Sequence, residues 1–197
     1  MKSLILASQS PRRRELLSQL GFQFSCCPAN IDESELPDET PAQYVERLAG
    51  EKAQYIANNQ IDSAIVLGSD TCVVYQDKIL GKPDNQQQCL EYLTLLSGNN
   101  HQVLTAIAVV QGRLIKSQVI STTVTFKSLS ENEMLNYWRS GEPQDKAGGY
   151  GIQGLGGQFV TQINGSYSAV VGLPLYETAQ LLAEFGLLTA LQQPVNK

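Results

Sequence analysis

No stretch of the 197-residue sequence is apolar over the roughly 20 residues that a membrane-spanning helix needs. The SLILA segment after Lys2 is too short for the core of a secretory signal before charged residues intervene. A soluble, cytoplasmic protein with no membrane partner is therefore expected. Positive charge is also scarce: 14 Lys and Arg against 19 Asp and Glu give a formal net charge of −5. That balance argues against broad attachment to nucleic acid, so the basic residues must act locally. The soft ligands of a zinc site are missing, because His101 is the one histidine and Cys26, Cys27, Cys72 and Cys89 show no C-x-x-C spacing. Reduced structural thiols are expected. There is no Walker A run, no internal repeat and no low-complexity linker. Without a secretory signal, the sequon Asn164-Gly165-Ser166 reads as a turn.

What is present is a 42% hydrophobic chain, long enough for one compact domain over residues 1–197. A short strand, LILA, precedes a helix that starts at Ser10-Pro11, carries Leu16, Leu17 and Leu20, and ends at Gly21. After an acidic loop, PANIDESELPDE, Thr40 and Gln43 form a capping box for a second helix. SAIVLGSDTCVVY reads as a buried strand broken at Gly-Ser-Asp-Thr, so that Asp70 ends the apolar run, and ILGKPDN as a turn. DNQQQCLEYLTLLSG is a third helix, with Asp84 as its cap and Cys89, Leu90, Leu93 and Leu96 facing inward. HQVLTAIAVV and RLIKSQVISTTVTF are two long strands joined near Gln111-Gly112. Ser130 and Glu133 cap a further helix, with Leu129 stapled to Met134 and Trp138 in the core. Asn164-Gly165 between FVTQI and SYSAVV predicts a hairpin, and PLYETAQLLAEFGLL a C-terminal helix. The pattern is mixed α/β.

Three arginines, Arg12, Arg13 and Arg14, occupy the first turn of the first helix. A cation there opposes the helix dipole at a cost of up to about 1 kcal/mol. An anion sharing the site with the free N–H groups removes the conflict, and a phosphate is the natural candidate; a solvated arginine face is the alternative. Lys52 poses a similar question, because it falls on the apolar face of the second helix with Val45, Leu48, Ala49, Ala53 and Ile56. Either its stem packs while the ammonium snorkels out, or the charge serves a site. GYGIQG at 149 to 154 fits a dinucleotide template, but a polar loop precedes it, a hairpin is expected after it, and the acidic partner is missing. Its glycines instead let the backbone approach a ligand or shape a turn. Together Arg12, Arg13, Lys52, Asp70, Lys82, Asp145 and Lys146 supply cations for a polyphosphate and carboxylates for a divalent metal and a water, as phosphoanhydride hydrolysis requires.

LILASQSPRRRELL, GEKA at 50 to 53, GSDT at 68 to 71, LGKP at 80 to 83 and DKAGGYGIQG at 145 to 154 resemble, in order, the motif series of the Maf family of nucleoside triphosphate pyrophosphatases. The chain departs from that series at Gln9, Gly50 and Gly149, where the family usually has glycine, arginine and alanine; none of these removes a catalytic group. The resemblance implies an α/β fold, a two-lobed mixed sheet flanked by helices with a central nucleotide-binding cleft, similar to inosine triphosphate pyrophosphatases. It implies cleavage of a nucleoside triphosphate to the monophosphate and pyrophosphate with a divalent metal, Mg or Mn, and the last motif is similar to the dTTP/UTP branch. Carried over residue by residue, Asp70 is the base, and Arg12, Thr71 and Gln153 are specificity positions. Ser8, Arg13, Glu33, Lys52 and Lys82 line the polar site, with Glu33 and Asp70 as the carboxylates for the metal. The family is also linked to septum formation, so a nucleotide-binding regulator without turnover is the rival expectation. A nucleic acid partner is not expected, and a homodimer is left open.

Overall fold

The computed structural model describes residues 3–59 and 64–193. Strand β1 (Leu4–Leu6) is apolar throughout and fully buried. Ser10 caps helix α1 (Pro11–Gln19), its hydroxyl accepting from the Arg13 N–H while Pro11 takes the first helical position. Leu16 and Leu17 face inward, and Gly21, at φ +77°, follows the helix in the left-handed region. Strand β2 (Phe24–Cys26) comes next, and helix α2 (Pro41–Ala57) opens with the expected capping box between Thr40 and Gln43.

Strand β3 (Ile65–Tyr75) corrects one expectation. Gly-Ser-Asp-Thr does not break it: the strand runs through all four residues, and Asp70 sits in its middle. Ser69 is tolerated inside because its hydroxyl donates to the Gly172 carbonyl at 3.1 Å. Ser63, the first residue of the expected strand, lies outside the described residues. The segment read as a turn begins as a short strand, β4 (Lys78–Leu80), which pairs antiparallel with β3. The tight connection uses Gln76 and Asp77, both at positive φ (49° and 61°), in place of the usual Asn-Gly.

Helix α3 (Gln86–Leu96) is capped by Asn85, not by Asp84: the Asn85 side chain accepts from the Gln88 N–H at 3.0 Å. Strands β5 (Asn100–Gln111) and β6 (Leu114–Phe126) are the expected long pair. Helix α4 (Glu131–Arg139) carries the Ser130–Glu133 capping box, but its buried aromatic is Tyr137, with Trp138 half-buried beside it. Short 3₁₀ turns at Glu142–Asp145, Ala147–Gly149 and Leu155–Phe159 shape the glycine-rich stretch before β7 (Val160–Asn164). No hairpin follows Asn164-Gly165. Helix α5 (Tyr167–Val171) begins there because the Ser166 hydroxyl accepts from the Ala169 N–H at 3.2 Å, and β7 pairs with β6. Helix α6 (Leu175–Glu184) closes the series.

Among the described residues seven strands form one sheet, ordered β2-β1-β3-β5-β6-β7 with β4 on β3. Pairing is parallel at β1/β2 and β1/β3 and antiparallel at β3/β4 and β6/β7, so the fold is the mixed α/β class expected. The chain divides into two compact units, Met1–Asp70 with Thr105–Val119 and Gly172–Lys197, and Thr71–Leu104 with Ile120–Val171. The first packs Ile5, Ala7, Ala53, Ile56, Val66 and Val110 together. The second has its own core, in which Leu93, Leu96, Val124, Phe126, Tyr137 and Phe159 meet. None of the helices among the described residues is long and apolar enough to cross a membrane.

Candidate active site

In the first unit, α2 meets β3 where β3 has no side chain. A Cβ on Gly68 would lie 2.1 Å from the Ala49 carbonyl oxygen and 3.0 Å from the Ala53 nitrogen, so glycine is what lets the helix come this close. Strand side chains alternate, which puts Asp70 on the same face as position 68. Lys52, between the two contact points on α2, is thereby brought to Asp70. Its Nζ lies 2.6 Å from Asp70 Oδ1 and 2.7 Å from Glu33 Oε1. Lys52 and Asp70 are each only 7% exposed, so the snorkelling alternative is excluded, whereas Glu33 is open to solvent. The acidic loop thus contributes one carboxylate to the same ammonium.

The α1 end of this unit is equally specific. The Ser8 hydroxyl accepts from the Ser10 N–H at 3.1 Å, holding the turn that leads into the cap. Arg13 is half-buried, and its Nε donates to the Gly172 carbonyl at 3.0 Å, the oxygen that also accepts from Ser69. Burial pulls the Arg13 guanidinium below its ordinary value, while the carboxylates of Asp70 and Glu33 push it back up. Burial also pushes the Asp70 carboxyl up, against the pull of Lys52 and Arg13. Arg12 is half-exposed and Arg14 exposed. Gly172 was not singled out from sequence, and Gly68 and Ser69 were read only as part of the GSDT motif, because a hydroxyl and two glycines carry no charge to notice.

Ser8, Arg12, Arg13, Glu33, Lys52 and Asp70 belong to the first unit, and Thr71, Lys82 and Gln153 to the second. Thr71 follows Asp70 on β3. Lys82 is exposed, next to Gly81, whose carbonyl accepts from the Gly148 N–H at 3.0 Å and ties the LGKP turn to the glycine-rich stretch. Gln153 is exposed in that stretch. Asp145 and Lys146 pair with each other at 2.6 Å.

No group of three or more His, Cys, Asp and Glu side chains among the described residues forms a metal cage. Glu33 and Asp70 do converge within 2.7 Å of one ammonium, and both are hard oxygen donors. That set suits Mg or Mn, which bind through one or two carboxylates together with substrate phosphates and water.

A strand-borne carboxylate beside a buried ammonium and an arginine at a helix start thus share the first unit. The profile described as Maf, Maf-like protein, matches residues 3–185, and the chain belongs to the Maf family. It is 61% identical over 189 residues to a dTTP/UTP pyrophosphatase of Colwellia psychrerythraea, covering 94% of this chain and 89% of that protein. It is 58% identical over 183 residues to a dTTP/UTP pyrophosphatase of Pseudoalteromonas translucida, covering 93% and 97%. A solved nucleoside-triphosphatase, dITP/XTP pyrophosphatase, of Mycobacterium abscessus aligns over 62% of this chain and 74% of its own, at 16% identity and TM-score 0.39. A likeness that partial fixes neither fold nor chemistry.

Proposed function

We infer that this chain is a hydrolase of nucleotide metabolism that cleaves dTTP and UTP between the α and β phosphates, giving the nucleoside monophosphate and pyrophosphate. The observation that carries the reading is the Asp70 carboxylate, buried on β3 and held at 2.6 Å by Lys52, in a chain whose relatives at 61% and 58% identity bear that activity as their name. Asp70 takes a proton from the attacking water. Its raised pKa brings it nearer to neutrality, where a general base works best. Arg12, Arg13, Lys52 and Lys82 neutralise the triphosphate and the charge that develops on the departing pyrophosphate. Ser8 holds the turn before α1. Thr71 and Gln153 contact the nucleoside, Gln153 pairing its amide with the base edge. Glu33 and Asp70 would hold a divalent Mg or Mn, which when bound supplies charge neutralisation and lowers the pKa of a bound water. A cytoplasmic site of action is part of the same reading.

The test is to incubate purified protein with UTP, dTTP, CTP, ATP and GTP in the presence of Mg or Mn and to separate the products by anion exchange. UMP or dTMP with an equal amount of pyrophosphate is expected, and excess chelator should abolish it. Binding without loss of triphosphate would make the chain a regulator, and full turnover in chelator would remove the metal from the scheme.

A further inference from the structure

The stretch that carries Gln153 ends its hydrogen bonds on one carboxylate. Glu142, just after α4, accepts from the Tyr137 hydroxyl (2.7 Å) and the Gly156 N–H (3.0 Å) at Oε1, and from the Leu155 N–H (2.8 Å) at Oε2. The Tyr137 oxygen in turn accepts from the Gly151 N–H at 3.0 Å. Three backbone donors flanking Gln153 are thus satisfied by a single Tyr–Glu pair. The approach is close. A Cβ on Gly154 would lie 2.3 Å from Glu142 Oε2, and one on Gly156 2.5 Å from the Tyr137 oxygen, so a side chain at either position would displace the pair. Lys146 Nζ donates to the Glu142 carbonyl at 2.8 Å and fixes the other side of the same residue. Burial pushes the Glu142 carboxyl up, but the bonds from Gly156, Tyr137 and Leu155 outweigh it and hold the group below its ordinary value. Glu142 is therefore an anion at neutral pH and accepts from all three donors.

Gln153, between the anchored positions, is exposed, and among the described residues its side chain makes no hydrogen bond within the protein. Uracil and thymine present a carbonyl beside an N–H donor, and cytosine presents an amino group beside an acceptor. An amide distinguishes the two only while its orientation is held. Order in the backbone beneath it fixes where that side chain starts from and so narrows the positions its amide can take before the nucleotide arrives.

We propose that Glu142 and Tyr137 are positioning residues that clamp the 151–156 backbone and so set the discrimination of Gln153 for uracil and thymine over cytosine. The proposal rests on Gln153 as the base-reading residue. Its test compares kcat/KM for UTP and CTP in the wild type, E142Q, Y137F, Q153A and the Y137F/Q153A double variant. Y137F keeps the ring against Phe159, where the two lie edge-to-face at 4.9 Å, and so decides the matter if E142Q folds poorly. Each clamp variant should lower the UTP-to-CTP preference roughly tenfold, the scale of one lost anchoring hydrogen bond. The double variant should be no less selective than Q153A alone, and amide hydrogen exchange at Gly151, Leu155 and Gly156 should quicken in E142Q. A purely structural clamp would lower Tm and both kcat/KM values alike, leaving the preference unchanged, and that result overturns the proposal. If Q153A loses the preference while the clamp variants keep it, the proposal fails and the reading of Gln153 stands. If Q153A keeps the preference, the reading of Gln153 fails and the proposal falls with it.

Discussion

At the scale of single residues, the account turns on two side chains of the first unit. Asp70→Asn keeps the shape at the Lys52 contact but cannot accept a proton, and general-base loss costs on the order of a hundred- to ten-thousandfold in kcat. Lys52 keeps Glu33 at 2.7 Å, and a neutral amide is easily accommodated where burial already raises the carboxyl's pKa, so Tm should stay close to wild type. Wild-type turnover in a folded Asp70→Asn variant, measured at saturating UTP, would remove Asp70 as base. Arg13→Ala has two opposing effects on stability. It gives up the charge-assisted bond to the Gly172 carbonyl, about 1.5–3 kcal/mol, and relieves a cation at a helix start of up to about 1 kcal/mol. Stability should therefore fall by only about 1–2 kcal/mol while kcat/KM falls; exposed Arg14 is the control, and Arg14→Ala should leave both intact. These residues were legible in the sequence because each is a charge out of place: arginines at the positive end of a helix, a lysine on an apolar face. Glu142 and Tyr137 were not, because an acid after a helix and an aromatic within one look ordinary until the backbone donors they collect are seen.

Among elements, the packing of α2 on β3 positions the site. Gly68→Ala would drive a methyl group to 2.1 Å from the Ala49 carbonyl oxygen, a backbone atom that cannot swing aside. It should cost about 1–3 kcal/mol in chemical denaturation, as overpacking does, and lower turnover as well, because α2 carries Lys52. Gly81→Ala, with open space around its Cβ, should leave stability unchanged, and a variant pair that behaved alike would contradict this picture of the contact. The helices were readable because caps are local chemistry: Ser10, Thr40 and Ser130 each accept from the third residue onward, as the sequence implied. The misreadings were cases in which a tertiary contact, as in β3, or a competing local cap, as at α5, overrode the signal that was read. Ser69 and Asp70 stay in β3 because Gly172 and Lys52 satisfy them, and Asn164-Gly165 leads into α5 because Ser166 caps a helix there.

For the molecule as a whole, stability should depend on pH through its one histidine. His101 is buried in the second unit against Phe126 and Tyr150, its Nε2 lying 2.7 Å from the Tyr150 hydroxyl, and burial lowers its pKa to about 4. The unfolded chain, with an ordinary histidine value near 6.5, binds the proton more readily. The stabilisation from keeping His101 neutral is therefore complete above about pH 6.5 and is lost as the pH falls towards 4, on the order of 3 kcal/mol over that window. Thermal melts from pH 7 to 5 should show a steeper fall for the wild type than for His101→Gln, and parallel curves would place the histidine's proton elsewhere. The mixed α/β class was legible from alternating strand and helix patterns, but the sheet order was not, since it depends on pairings such as Leu4 of β1 with Ile65 of β3, far apart in sequence. The central claim is that water attacks the α-phosphorus of a pyrimidine triphosphate, and hydrolysing UTP in ¹⁸O-labelled water with mass analysis of both products tests it most directly. The account predicts one ¹⁸O in UMP and none in pyrophosphate; label in pyrophosphate, or release of UDP and orthophosphate, would contradict it.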